Sequence, residues 1–164
     1  MKMPTSDLDL SAILGEFKDR AQSGYALGLH INFTTPAYFF QSYPRPWLEH
    51  YSKSGLLMND PTVSWCFENT GVCRWSEMDD PANVLVQAAD FGMKYGISCS
   101  TDSNGSQSMA GFARADREYS DEEITELVAL FERLHDLTGD QASLPPETVE
   151  QLKKMSIMVT HPGS

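Results

Sequence analysis

Tyr25-Ala26-Leu27-Gly28-Leu29-His30-Ile31-Asn32-Phe33 decides the class of fold. Large apolar side chains stand at 25, 27, 29, 31 and 33, with Ala, Gly, His and Asn between them. A period of two held this long is the pattern of a strand with one buried face. Gly28, on the other face, leaves room beside the strand for something other than a side chain. Upstream the period changes: Leu10, Ile13, Leu14, Phe17 and Ala21 fall at helical spacing, with Ser6 or Asp7 as a cap, until Ser23-Gly24 breaks the run. Downstream, Thr34-Thr35-Pro36 reads as a turn into a second short aromatic strand, Ala37 to Gln41.

Pro44 and Pro46 suit the first turn of a helix that carries Trp47 and Tyr51 at i, i+4 and closes at Gly55. Asn59-Asp60-Pro61 opens another short helix, with Val63 and Phe67 on one side. Asp79 or Asp80 caps a helix starting at Pro81, with Val84, Leu85, Ala88 and Phe91 as its stripe and Gly92 as its end. Ile97 to Thr101 and Met109 to Ala115 form a hairpin around Asp102-Ser103-Asn104-Gly105. Ser120 and Glu123 make a capping box for a last long helix, striped by Ile124, Leu127, Val128, Phe131 and Leu134 as far as Gly139. Helices flanking short strands predict an α+β domain: a three-layer α/β/α sandwich with a central antiparallel sheet. Beyond Gly139 the chain reads as a linker, then a short helix over Thr148 to Met158.

Composition narrows the function. The 164 residues suit one domain with a core, and 12 basic against 23 acidic residues give a net charge of −11. That surplus disfavours unaided binding to nucleic acid or an anionic membrane. No apolar run reaches the roughly 18 residues of a membrane span, and the first ten residues hold no signal-peptide core. Cys66, Cys73 and Cys99 are odd in number and form no Cys-x-x-Cys pair, which suits reduced thiols in a cytoplasm. Enzyme signatures are missing too. Gly96-Ile97-Ser98-Cys99-Ser100 lacks the last glycine of a nucleophile elbow, and His30, His50, His135 and His161 never fall at metal-ligand spacing with the cysteines. No enzyme, no metal and no cofactor are expected.

Residues 43–75 stand apart. Tyr43-Pro44-Arg45-Pro46-Trp47-Leu48-Glu49-His50-Tyr51 precedes Asn59-Asp60-Pro61-Thr62-Val63 and then Trp75. Two phenols, an indole and a carboxylate without an adjacent cation could line a cavity for a small amphipathic ligand. They could equally form an aromatic core in which Asp60 only caps a helix.

The ordered set Y-P-x-x-W-x-x-x-Y, D-P-T-V and a following tryptophan resembles the autoinducer-binding domain of LuxR-type quorum-sensing transcriptional regulators. The resemblance spans residues 5–140 and takes in Leu27-Gly28-Leu29, the Phe91-Gly92-Met93-Lys94-Tyr95-Gly96 corner and the final helix. It implies a GAF/PAS-like domain that binds an N-acyl homoserine lactone. By that resemblance Trp47 donates to the lactone carbonyl, Asp60 accepts from the ligand amide N–H, and Tyr43 donates to the acyl carbonyl. Thr62 supports the amide; Tyr51 and Trp75 wall the lactone and the start of the chain. Gly28 joins this set of site residues. The family's Ser or Thr near the acyl carbonyl is matched here by Ala113; either Ser98 on the neighbouring strand substitutes, or that carbonyl relies on Tyr43 alone.

Such regulators continue into a helix-turn-helix domain. Leu144-Pro145-Pro146-Glu147-Thr148-Val149-Glu150-Gln151-Leu152 resembles its opening, so the expected division is 1–140 for signal binding and 141–164 for a linker and a truncated helix-turn-helix remnant. The expected partners are a small-molecule autoinducer and a second subunit, as a homodimer or as a heterodimer with a full-length regulator, without direct DNA contact by this chain. The other reading is a ligand-independent anti-activator acting through that heterodimer.

Overall fold

Alternation along the strands produces a sheet with two unlike faces. The strands are β1 (Gly24–Asn32), β2 (Thr35–Gln41), β3 (Gly71–Arg74), β4 (Tyr95–Thr101) and β5 (Gln107–Arg114). They lie in the order β2-β1-β5-β4-β3, every pairing antiparallel. The computed structural model describes residues 10–33 and 35–139 and the single positions 146, 147, 150 and 154.

One face carries Leu27, Leu29, Phe40, Ile97 and Phe112, all fully buried. Against it pack α1 (Leu10–Arg20), through Ile13 and Phe17, and α5 (Asp121–Gly139), through Leu127, Phe131 and Leu134. Each such side chain contributes about 1.5–3 kcal/mol by leaving water. The opposite face bears Ala26, Gly28, Gly96, Ser98, Gly111 and Ala113, and α2 (Arg45–Lys53), α3 (Pro61–Glu68) and α4 (Val84–Asp90) cover that side. This is the three-layer α+β architecture of GAF/PAS-like ligand-binding domains.

The predicted ends of several elements follow from local chemistry. Ser120 Oγ accepts from the Glu123 N–H at 3.2 Å while Glu123 Oε1 accepts from the Ser120 N–H at 2.8 Å, closing the capping box of α5. Gly55 follows α2 in the left-handed region at φ 60°. Asp80 accepts from the N–H groups of Val84 and Leu85, so it caps α4, although the helix begins at Val84 and leaves Pro81 in the preceding turn.

Three expectations change. The strict alternation of β1 ends at His30, whose φ of 53° accompanies a register shift against β5 between Gly28 and Ile31. Ile31 consequently packs beside Gly28, His30 turns toward α5, and Phe33 is 92% exposed instead of buried. In α3 the buried residues are Pro61 and Cys66, whereas Phe67 is exposed, because the helix lays its Cys66 side against β4. Finally, β3 was not foreseen: Gly71-Val72-Cys73-Arg74 is too short for periodicity to show, and its pairing with Ile97–Ser100 makes it a strand. The Ser6 or Asp7 cap, most of the Thr148–Met158 helix and the 141–164 division lie outside the described residues.

Candidate functional site

Antiparallel pairing sets the small residues of the second face in rows. Gly24, Ala113 and Gly96 align across β1, β5 and β4, and the next row is Ala26, Gly111 and Ser98. Gly28, Met109 and Ser100 follow. In the two central strands Ala26, Met109 and Gly111 stay partly exposed, while the opposite face beneath them is closed. A floor of small residues under an aromatic roof is how a sheet makes space for a guest.

The roof rests directly on that floor. A Cβ placed on Gly111 would come within 2.6 Å of the Tyr43 hydroxyl oxygen, and one on Gly96 would strike the Trp75 indole carbons. These two glycines, absent from the expected site, are what let the Trp75 indole and the tip of Tyr43 come down onto the strands. Their signal was present, since isolated glycine inside a strand marks a close approach. At Gly28 a Cβ would meet only ordinary contacts, 3.6 Å from Ile31 and 3.7 Å from Met109, so sterics alone do not demand glycine there.

Trp47 is 4% exposed and sits at the centre of the roof. Its ring meets Tyr51 edge-on at 5.5 Å and Phe91 at 5.5 Å, and His50 stacks on Phe91 at 5.3 Å. Gln87 of α4 lies 2.7 Å from His50 Nε2 and ties the two helices together. His50, Gln87 and Phe91 thus extend the wall beyond the residues named from sequence.

Asp60 joins the aromatic cluster through Tyr51, whose hydroxyl donates to Oδ2 at 2.7 Å. Oδ1 accepts from the Thr62 backbone N–H at 2.9 Å and from the Thr62 hydroxyl at 2.7 Å. Asp60 therefore does cap α3, as the simpler reading held, and Oδ2 retains capacity for one more donor. Burial and the nearby Asp60 charge push the Tyr43 and Tyr51 phenols far above their ordinary range, so both remain donors. The same two causes push the buried Cys66 thiol up to about 12, which leaves it inert as a nucleophile.

Donors remain unspent. Neither the Trp47 indole N–H nor the Tyr43 hydroxyl makes a hydrogen bond among the described residues. The Trp75 indole N–H, in contrast, donates to Ser98 Oγ at 3.0 Å. Ser98 thus spends oxygen capacity on Trp75, and Ala113, fully buried, belongs to the apolar floor. Tyr43, Trp47, Tyr51, Asp60, Thr62, Trp75, Ser98, Gly28 and Ala113 all lie on the same side of the sheet, and Tyr51 links Trp47 to Asp60. Among the described residues no three His, Cys, Asp or Glu side chains gather as a metal site would.

This arrangement has relatives. A family model described as the autoinducer binding domain matches residues 24–137. The chain belongs to that family. Autoinducer-binding domains of LuxR-type quorum-sensing regulators are non-catalytic regulatory modules, and this one is no enzyme. The transcriptional activator protein SolR of Ralstonia nicotianae is 34% identical over 80 residues, which are 47% of this chain and 34% of SolR. SolR of Ralstonia solanacearum is 32% identical over the same length and shares. The chain therefore spans about a third of these curated relatives.

Two solved structures share the autoinducer-binding fold at lower identity. The N-acylhomoserine lactone dependent LuxR family factor CepR2 of Burkholderia cenocepacia superposes with a TM-score of 0.58 at 20% identity, covering 93% of this chain and 87% of its own. SdiA in complex with octanoyl-rac-glycerol gives 0.61 at 21% identity, covering 87% and 66%. Among the described residues no helix of the domain is long and apolar enough to cross a membrane.

Proposed function

We propose that this autoinducer-binding domain holds an N-acyl homoserine lactone between the small-residue floor and the roof built by α2, α3 and α4. One observation carries the reading: around the Tyr51–Asp60 pair, the Trp47 N–H and the Tyr43 hydroxyl have no partner among the described residues, and neither is a sealed, buried atom. A lactone-amide headgroup presents the complement, two carbonyls and one amide N–H. Trp47 donates to the lactone carbonyl, Tyr43 donates to the acyl carbonyl, and the spare capacity of Asp60 Oδ2 takes the amide N–H. Thr62 holds the carboxylate, while Tyr51 and Trp75 flank the ring and the first part of the chain. Because Asp60 is charged, its bond to the amide is of the stronger kind. Ala113 keeps the floor low beneath the roof, and Gly28 ends that floor beside Ile31 and Met109.

Residues 1–140 constitute the sensing unit in this reading, and 141–164 a linker and the start of a helix-turn-helix unit. A second subunit pairs with the domain through α5, either as a like copy or as a full-length regulator.

The test is a thermal-shift panel of acyl homoserine lactones of increasing chain length, aryl forms included. Ligand at 100 times its dissociation constant adds about 2.7 kcal/mol of stability. A folded protein that shifts with none of them defeats the sensing reading and favours ligand-independent pairing with a full-length regulator.

A further inference from the structure

Trp47, His50 and Tyr51 stand at i, i+3 and i+4 on one side of α2. Tyr51 meets the Trp47 indole edge-on at 5.5 Å and is itself fixed by Asp60 Oδ2 at 2.7 Å. Phe91 meets the indole at the same distance. It caps the end of α4, and its side chain has no polar atom to fix it. His50 supplies the missing anchor. Its imidazole stacks on the Phe91 ring with centroids 5.3 Å apart and planes 25° from parallel, and it lies 5.9 Å from the indole. Its Nε2–H donates to Oε1 of Gln87 at 2.7 Å, and Gln87 precedes Phe91 by four residues.

Stacking fixes how far apart two rings lie and leaves them free to slide and turn in their planes. A hydrogen bond at one ring nitrogen removes that freedom. Among the described residues this is the hydrogen bond that joins α2 to α4, so it also decides where Phe91 stands against the indole. The indole has a single donor. Where that donor points follows from the two side-chain torsions of Trp47, which its packed neighbours select. A hydrogen bond weakens steeply as its angle closes toward about 120°. A small turn of the Trp47 ring therefore costs affinity without any loss of contact. His50 and Gln87, both partly exposed, control that turn without reaching a ligand themselves.

We propose that His50, held by Gln87, is a positioning residue: it fixes the Phe91 ring against Trp47 and so aims the Trp47 indole N–H at the ring carbonyl of the ligand. This rests on the lactone reading above.

Matched ligands test it: octanoyl homoserine lactone, and octanoyl cyclopentylamide, which keeps the chain and the amide and lacks the ring carbonyl. Both are titrated calorimetrically into the wild type, His50→Phe and Gln87→Leu. His50→Phe keeps the stack and loses the hydrogen bond; Gln87→Leu loses the acceptor, and carries the test where His50→Phe fails to fold. Each weakens the lactone about fivefold and leaves the cyclopentylamide within about twofold. Gln87→Glu, which keeps an acceptor at that position, retains the wild-type preference for the lactone. Added to Trp47→Phe, which has no indole N–H, Gln87→Leu weakens the two ligands alike. Loss of both ligands by the same factor in the single variants, or of neither, overturns the positioning role and leaves the lactone site in place. So does a selective loss that persists in the Trp47→Phe background. Wild-type protein that binds neither ligand overturns the lactone reading and this inference together.

Discussion

Tyr51 donates its hydroxyl to Asp60 Oδ2 at 2.7 Å and presents its ring edge to Trp47 at 5.5 Å. One tyrosine therefore sets the distance between the acid at the start of α3 and the indole of α2. The i, i+4 placement of Trp47 and Tyr51 puts both on one side of α2, and Asp60-Pro61 brings the carboxylate to them. What looks like a helix cap is also one end of the candidate headgroup site.

Asp60→Ala should consequently cost twice. Loss of the cap on α3 lowers stability by about 1 kcal/mol, read from urea unfolding. Loss of the acceptor removes most of the lactone-induced thermal shift, because a charged hydrogen bond is worth about 1.5–3 kcal/mol. Tyr51→Phe keeps the acid but frees its position, so it retains the cap and weakens the ligand less, by about 1 kcal/mol. Full affinity in Asp60→Ala excludes the carboxylate from the site.

Trp47→Phe separates hydrogen bonding from packing. The indole N–H has no partner within the described residues, so its removal leaves no orphan in the free protein. Stability falls only through the smaller ring, while lactone affinity falls by about a further 1 kcal/mol. Binding of the matching homoserine lactam, which keeps the carbonyl, should drop in parallel. A variant that loses stability yet binds both ligands unchanged assigns Trp47 to packing alone.

The two floor glycines should respond differently to alanine. At Gly96 the new methyl strikes the middle of the Trp75 indole, which is 6% exposed and hydrogen-bonded to Ser98. A rigid bicycle held at both ends cannot yield, so Gly96→Ala should cost about 3 kcal/mol or more, in the upper range of overpacking penalties. At Gly111 the obstacle is the tip of the Tyr43 ring, which swings away on its side-chain torsions. Gly111→Ala should cost about 1 kcal/mol of stability or less and show itself in ligand affinity instead. Equal unfolding midpoints for the two variants contradict the unequal rigidity of their roofs.

Much of this layout could be read along the chain, for identifiable reasons. The α1 and α5 stripes, the β4–β5 hairpin and the Ser120–Glu123 capping box are local patterns, fixed by neighbours a few residues apart. Tyr43, Trp47, Tyr51 and Asp60 were visible as residue types, but the hydrogen bond that joins Tyr51 to Asp60 was not. The short strand β3 escaped because four residues carry no period. Gly96 and Gly111 gave only the general signal of a strand glycine; which ring covers each is a matter of tertiary packing. The inversion after Leu29 had no warning in an otherwise regular alternation, since it stems from the left-handed backbone at His30.

That strained residue yields a prediction about pH. The His30 ring stacks on His135 at 4.4 Å, and its Nδ1 lies 2.7 Å from Ser106 Oγ. Nε2 lies 2.9 Å from the His135 carbonyl oxygen and 3.1 Å from Thr138 Oγ1, tying the β1 bulge to the end of α5. Burial lowers the His30 pKa most; the hydrogen bond to the His135 carbonyl opposes it, and the second imidazole lowers the value again against a smaller raising effect from Asp136. The folded protein therefore binds this proton less readily than the unfolded chain, whose histidine titrates near 6.5. Stability from this site is complete above pH 6.5, declines as the pH falls below it, and levels off once the lowered folded value is passed. Asp116 and Glu123, held at about 2 by Arg114 and Arg117, stay ionised across this window and add no slope. Urea midpoints measured between pH 7.5 and 5 should fall for the wild type and fall less for His30→Asn, in which asparagine accepts the positive φ without ionising. His50 is common to both proteins, so the difference belongs to the His30–His135 stack. Parallel pH profiles would show that protonating His30 does not strain the clamp.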